Sequence, residues 1–396
     1  MKTLLVLGAG VMQAPLIKKA REMGVRTVVV GSKGNYPGLA FADKAVFQDF
    51  MDADAVERIA REEKIDGIFT CGLDMPVPTM ATVASRLGLP GISHEAGQLV
   101  TDKEKMKAIF QAHGIRTARY RLVRTEAEAS AAFREIGGTA MFKAIDGQGS
   151  RGIIKVERPE DVSAAHEYVR RATRREEYIV EEFLDGIEFG AQAFVLDGKV
   201  QFVLPHGDYV FHGDTGVPLG HYVPYEEGSI LAEESRDLLQ QFVAAAGLGT
   251  CAVNADFMLA KGHVHVLEIG ARCGATMLAE TVSLFYGFDY YEQMIHAALG
   301  EPADFSPRPG GMANATMTLT SDRDGILKQM VDTNPPNPNV VEIHFDRKPG
   351  EAIHRFKLGI DRIGHVIVKG NTLAEAQALL EKTVSNIRVE LEGDAS

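Results

Sequence analysis

The sequence predicts a protein of mixed α/β and α+β class, and three observations carry that prediction. Strands and helices alternate through the first hundred residues, which is the pattern of a parallel, doubly wound sheet. A Pro/Gly-rich stretch after Gly300 (Pro302, Pro307, Pro309, Gly310, Gly311) marks a boundary, with short strands and helices beyond it. Between them, Asn254–Gly274 reads as a β-hairpin carrying two carboxylates and an arginine. The expected domains are 1–100, 101–300 and 301–396.

Composition narrows the class. At 396 residues the chain is long enough for two or three domains with sizeable cores. A net charge of −12 argues against a general nucleic-acid binder. No run of about 18 apolar residues exists to cross a membrane, and Leu4–Gly10 is too short for a signal peptide. Cys71, Cys251 and Cys273 are odd in number and lack metal-ligand spacing, which suggests a reducing cytoplasm and no structural disulfide.

In chain order, Lys2–Leu7 is a continuous apolar strand, Gly8-Ala9-Gly10 a tight turn and Ala14–Met23 a helix. Arg26–Gly31 is a second strand, followed by a loop with Asn35, Pro37 and Gly38. Ala53–Glu63 and Val77–Leu87 are helices flanking the strand Gly67–Cys71. The GAGVMQ turn is half of a dinucleotide fingerprint, but Gln13 replaces the third glycine and the second strand ends in Gly31-Ser32 without an acid for a ribose. NAD is therefore not expected; a helix N-terminus facing a substrate carboxylate suits the turn better.

The character changes near Ser93. Asp102 caps a lysine-rich helix that ends at Gly114, and Thr125–Ile136 is an amphipathic helix. The strand Ala140–Ala144 bears Lys143 and runs into a loop, 146–152, with three glycines in seven residues. Such a loop exposes backbone N–H groups and can close over phosphates, although many are only turns. EYIVEEFL (177–184) is a strand, and Glu188–Leu196 with Lys199–Leu204 a hairpin around Asp197-Gly198. Residues 205–228, rich in Gly and Pro, read as a long loop. His206, His212 and His221 within it match no common metal spacing; substrate contact suits His206, Asp208 and His221 better. Leu231–Ala246 and Glu280–Leu299 read as helices, and so do Gly325–Met330 and Leu373–Ile387 in the last domain.

The hairpin carries the chemistry. With a three-residue loop Lys261-Gly262-His263, Asp256 faces Glu268 and Met258 faces Val266. Period-two alternation then puts both carboxylates on one face, with Cβ atoms about 4.5–5.5 Å apart. Two anions about 5 Å apart repel by roughly 3 kcal/mol at an effective dielectric near 20. A hard divalent cation reverses the sign, and Mg²⁺ is commonly held by one or two carboxylates plus substrate phosphates. The alternative is two solvated acids at a strand end. Arg272, four residues past Glu268, favours the metal, because a guanidinium beside it suits phosphoryl chemistry.

Taken together, the capped lysine helix, the Lys143 strand with its glycine-rich loop, EEFL and the carboxylate hairpin ending in Arg272 resemble the ATP-grasp superfamily over the whole chain. Within it the chain is most similar to carboxylate–amine ligases of the L-amino acid ligase type. The resemblance implies an ATP-grasp domain built of two α+β subdomains with a lid over 146–152. It implies that Lys103 and Lys143 hold the nucleotide phosphates under Gly147, Gly149 and Ser150. Glu181, Glu182 and Leu184 would meet adenine, Glu188 the ribose, and Asp256 and Glu268 one or two Mg²⁺ (or Mn²⁺) ions. Arg272 would steady the transferred phosphoryl group, and Asp74 lies among the candidate substrate residues. One departure is Gly270, where the superfamily usually has an asparagine ligand.

The implied activity joins a small carboxylate to an amine through an acyl-phosphate, releasing ADP and phosphate, in a cytoplasmic enzyme that is a homodimer in related proteins. An ATP-grasp carboxylase and a non-catalytic nucleotide-binding module are the competing readings. No Ser/His/Asp or Cys/His arrangement points to a protein nucleophile.

Overall fold

The computed structural model describes residues 1–146, 152–212, 216–226 and 230–393. The chain divides into two compact units. One comprises Met1–Val203, Gly228–Cys273 and Glu292–Ala303; the other Leu204–Glu227, Gly274–Tyr291 and Asp304–Ser396.

The first unit begins with a parallel sheet in the order Lys44–Phe47, Arg26–Gly31, Thr3–Leu7, Gly67–Phe69. Thr3–Leu7 lies inside the sheet and is buried along its whole length, as its unbroken apolar run requires. The helices Ala14–Glu22, Ala53–Glu63 and Val77–Leu87 fall where expected. The edge strand Lys44–Phe47 was not expected: its four residues are mostly exposed and carry no alternation to read. Gln13, standing at the third-glycine position, is buried and closes the turn with its side chain. Its Oε1 accepts from the Gly10 N–H at 2.8 Å, and its amide donates to the Cys71 carbonyl.

A second, antiparallel sheet follows, in the order Tyr120–Val123, Tyr178–Glu182, Ala140–Ala144, Ile153–Val156. Helices Glu126–Ile136 and Val162–Ala172 cover it, with Phe133, Phe142, Val169 and Tyr178 in the core. Thr125 and Glu128 form a reciprocal capping box at the first helix. The second helix escaped the sequence reading because its buried face is only Val162, Ala165 and Val169 in a highly charged stretch.

The third part of this unit is the hairpin Cys251–Ala260 and His263–Gly270, paired on its other side with Gly186–Leu196. Its turn has two residues, not three. Lys261 (φ 55°) and Gly262 (φ 78°) both adopt left-handed backbone, as a type I′ turn demands. Ala260 therefore faces His263, and Met258 faces His265 instead of Val266. A bulge between Asp256 and Phe257 then restores the register, so Asp256 still faces Glu268. The helix Lys103–Ala112, capped by Asp102, lies against Leu231–Ala246 through Phe110 and Phe242, whose ring centroids are 5.4 Å apart.

The second unit contains the strand order Lys199–His212 (from Leu204 onward), Gly216–Val223, Ala313–Leu319, Gly364–Gly370, Val340–Phe345. Helix Leu373–Ser385 buries Ala376 and Leu380 against Ala315, Val366 and Val368. A small sheet pairs Gly325–Asp332 with Ala352–Ile353 and Ile387–Leu391.

Three expectations fail here. Residues 205–228 are not one long loop, because most of 204–223 is strand. Their glycines serve close packing: a Cβ on Gly220 would lie 1.9 Å from the Thr316 carbonyl oxygen, and one on Gly207 2.2 Å from the Tyr222 ring. Gly325–Met330 is a strand paired with Ile387–Leu391, not a helix. The expected helix Glu280–Leu299 is two helices, Leu278–Tyr286 and Tyr290–Ala298, because Gly287 (φ 74°) caps the first. Among the described residues no helix is long and apolar enough to cross a membrane.

Candidate functional site

The hairpin sets the site. Asp256 has Glu268 on one side and Gly190 on the other, so small backbone flanks it where a side chain would crowd the face. Lys103, at the first turn of the Asp102-capped helix, places Nζ 2.8 Å from Glu268 Oε1. One step along, Asn254 faces Gly270, and its Oδ1 accepts from Gln192 Nε2 at 2.6 Å. The missing side chain at Gly270 leaves room for Asp74, whose Oδ1 would lie 3.2 Å from a Cβ there.

Arg272 meets Asp74 as a two-pronged pair, Nε to Oδ1 at 2.8 Å and a terminal nitrogen to Oδ2 at 3.1 Å. Burial pushes the Asp74 carboxyl upward, but Arg272, with help from Lys103, carries it below the usual range. Burial likewise opposes charge on Arg272, and Asp74 more than offsets it. The pair is ionised, and it brings together a residue from each of two distant segments.

Behind the hairpin lies a buried charge cluster. Strand alternation turns Glu181 inward and Glu182 outward. Glu181, 1 % exposed, pairs with Lys143 from the neighbouring strand and with Lys107 Nζ at 2.7 Å; Lys107 also donates to Thr117 Oγ1 at 2.7 Å. Burial works against the carboxylate, yet the two ammoniums hold its pKa down to about 2. Lys143 is shifted up: burial opposes its charge, but Glu181, then Glu268 and Glu188, outweigh it. Lys107, absent from the sequence reading, was legible as the residue four after Lys103, one turn along the same face.

Glu182 is tied to Arg119 Nε at 3.0 Å and Lys261 Nζ at 2.7 Å, so its carboxylate braces the hairpin turn. Leu184 joins Ala118, Met258 and Ala260 in a small apolar cluster with Leu267 at its edge. Glu188 is exposed and directly faces Met258 across the strand pair. Gly147, Gly149 and Ser150 lie outside the described residues. The loop's flanks are anchored: Asp146 accepts from Thr173 and the Arg174 N–H, and Gly152 takes φ 73°.

In the other unit, alternation along one strand puts His206 and Asp208 on one face, and His221 pairs directly with Asp208 from the next strand. Asp208 Oδ1 accepts from both imidazoles, at 2.8 Å from His206 Nδ1 and 2.6 Å from His221 Nδ1. The side chain of His212 lies outside the described residues. Reading 205–228 as a loop hid this cluster, since its signal is a strand alternation.

Comparison with known proteins identifies the family. Residues 17–91 match the ATP-grasp N-terminal domain, 101–276 the ATP-grasp (A) domain of phosphoribosylglycinamide synthetase, and 317–392 the L-amino acid ligase C-terminal domain 2. The crystal structure of phosphoribosylglycinamide synthetase from Anaerococcus prevotii is 33% identical, with a TM-score of 0.87 over 99% of this chain and 100% of that one. The chain belongs to the ATP-grasp family of carboxylate–amine ligases.

As a member of that family it is an ATP-dependent ligase. A curated relative, the formate-dependent phosphoribosylglycinamide formyltransferase of Synechococcus sp. (strain RCC307), is 24% identical over 99% of this chain and 98% of its own length. The biotin carboxylase domain of the Hydrogenobacter thermophilus 2-oxoglutarate carboxylase shares the fold at 17% identity. Its TM-score is 0.82 over 98% of this chain and 90% of that one, and its structure is described with ADP, magnesium and bicarbonate.

Proposed function

We propose that this ATP-grasp enzyme activates a small, amino-acid-like carboxylate as an acyl-phosphate and passes the acyl group to an amine, releasing ADP and phosphate. The observation that carries the reading is the cross-strand pair Asp256–Glu268 with Lys103 at one carboxylate and Arg272 on the same strand's exit. Two apposed carboxylates form a hard-oxygen donor set, which fits Mg²⁺ or Mn²⁺. Asn254, across from Gly270, offers an amide oxygen where the family's usual asparagine is missing, so a two-ion site remains chemically accessible.

Bound Mg²⁺ would supply charge neutralisation for the nucleotide phosphates. The chain's own residues do the rest. Lys103 and Lys143 engage phosphate oxygens, Lys143 held in place by Glu181 behind it. The apolar cluster of Leu184, Met258 and Leu267 gives a flat base a surface to cover, with the backbone of 181–184 supplying its polar contacts and Glu188 reaching the ribose. Gly147, Gly149 and Ser150, which lie outside the described residues, are assigned to the phosphates on the family resemblance. Arg272, oriented by Asp74, meets the developing charge at the transferred phosphoryl group. Exclusion of water protects the acyl-phosphate until the amine attacks.

The test is phosphate release with ATP and Mg²⁺ across amino acids (glycine included) and formate, each with and without amines. Release that needs both a carboxylate and an amine, and is lost in Glu268→Gln and in Arg272→Ala, supports the proposal. Turnover surviving both substitutions, or driven by bicarbonate without an amine, sinks it.

A further inference from the structure

The His206–Asp208–His221 cluster plays no part in the proposed ATP site, and its polar atoms do not balance as a closed hydrogen-bonded triad. Both rings use Nδ1 on one carboxylate oxygen. For both to donate, each Nδ1 must carry a proton, which in a neutral ring leaves a lone pair on Nε2. His206 and His221 are each 3 % exposed, and neither Nε2 has a hydrogen-bond partner among the described residues. Asp208 itself is 27 % exposed at its side chain, so the cluster opens on one side.

Two imidazoles and one carboxylate offer four nitrogen positions, two of them without a hydrogen-bond partner among the described residues. One ligand-type atom from each residue can be chosen so that all three lie within 4.8 Å of one another. Nitrogen and carboxylate donors of this kind suit Zn²⁺ and its neighbours, in contrast to the all-oxygen pair at Asp256 and Glu268. A metal taking the place of the two Nδ1 protons, which move to Nε2, would have both Nδ1 atoms and an Asp208 oxygen as its three protein ligands, with a fourth position open for water or a substrate atom, the pattern of reactive rather than purely structural zinc sites. The residues are also fixed by the strands: Gly207, between His206 and Asp208, is the only residue type the neighbouring Tyr222 ring tolerates without moving, and a bulge follows at Tyr209/Val210.

We propose that His206, Asp208 and His221 bind a divalent transition metal of the zinc class, separate from the magnesium site and independent of the ligase reading. The probe is Co²⁺, a spectroscopic stand-in for Zn²⁺. It is titrated into chelator-treated full-length protein with Mg²⁺ in excess, so that hard oxygen sites do not compete. One equivalent should bind with the intense visible bands of a four-coordinate site. Asp208→Asn and His221→Gln should each weaken that binding by about tenfold or more and bleach the bands, and Zn²⁺ should raise the Tm of the wild type but not of either variant. Wild type that retains no Co²⁺, or variants that titrate identically to it, overturn the assignment. If a variant does not fold by circular dichroism, the ring ¹⁵N shifts of the wild type decide. Two histidines moving on Zn²⁺ addition support the site; none moving, or scattered surface histidines moving, refutes it.

Discussion

Glu181 and Glu268 are both glutamates contacted by lysines within the same unit, and they are built for opposite purposes. Glu181 is fully enclosed between Lys107 and Lys143, with its pKa held down to about 2. Glu268 keeps 42 % of its side chain exposed, meets one lysine, and has a second carboxylate across the strand. A buried charge must be matched on site, since desolvation is costly and a lost partner is not replaced by water. A half-exposed charge has water as its alternative partner, and can exchange a lysine for a cation at little cost. The first therefore belongs to the framework of the site, and the second is the one to which we assign cation binding.

The strongest test of that contrast is Glu268→Gln. We expect a loss of phosphate release exceeding about a thousandfold, with the urea midpoint unchanged; a parallel collapse in stability would erase the distinction. Lys107→Met should do the reverse. Removing one partner of a buried pair costs about 3–5 kcal/mol, measurable by urea unfolding, and a change within about 1 kcal/mol would show that Lys143 alone satisfies Glu181.

Acid sharpens the same point. The folded pKa of Glu181, about 2, lies below its ordinary 4.5. Its contribution to stability is thus fully present above pH 4.5 and lost as the pH falls toward 2. Wild type should lose stability across that window, whereas Glu181→Gln, less stable at neutral pH, should show a flatter profile there in thermal melts. The smallest effect is expected at Lys103→Met. Its ion pair with the half-exposed Glu268 contributes about 0–1 kcal/mol, so Tm should move by no more than a few degrees, while the ATP concentration for half-maximal rate rises.

Legibility followed the range of the interactions. Asp102, Thr125, Lys143 and the Asp256–Glu268 pair were readable, because caps, alternation and a tight turn act within a few residues. Even there the correct pairing rested on two local features unseen in the sequence, a two-residue turn and a bulge that compensates for it. Lys107 was visible only as helical spacing, and its importance appeared once Glu181 was seen to need two cations. The strands through 204–223 were hidden because Gly207 and Gly220 look like loop residues. Their reason is the ring of Tyr222 and the carbonyl of Thr316, the latter 96 residues away.

By itself the sequence determined the alternating N-terminal sheet, the helix and strand that carry Lys103 and Lys143, and the paired carboxylates, since periodicity and capping are properties of neighbours along the chain. Tertiary structure alone decided that Asp74 clasps Arg272, that Glu181 sits between two lysines, and that His206 and His221 share Asp208. Each of those unites segments far apart in sequence, where burial removes water as a competing partner and makes the choice of partner definite.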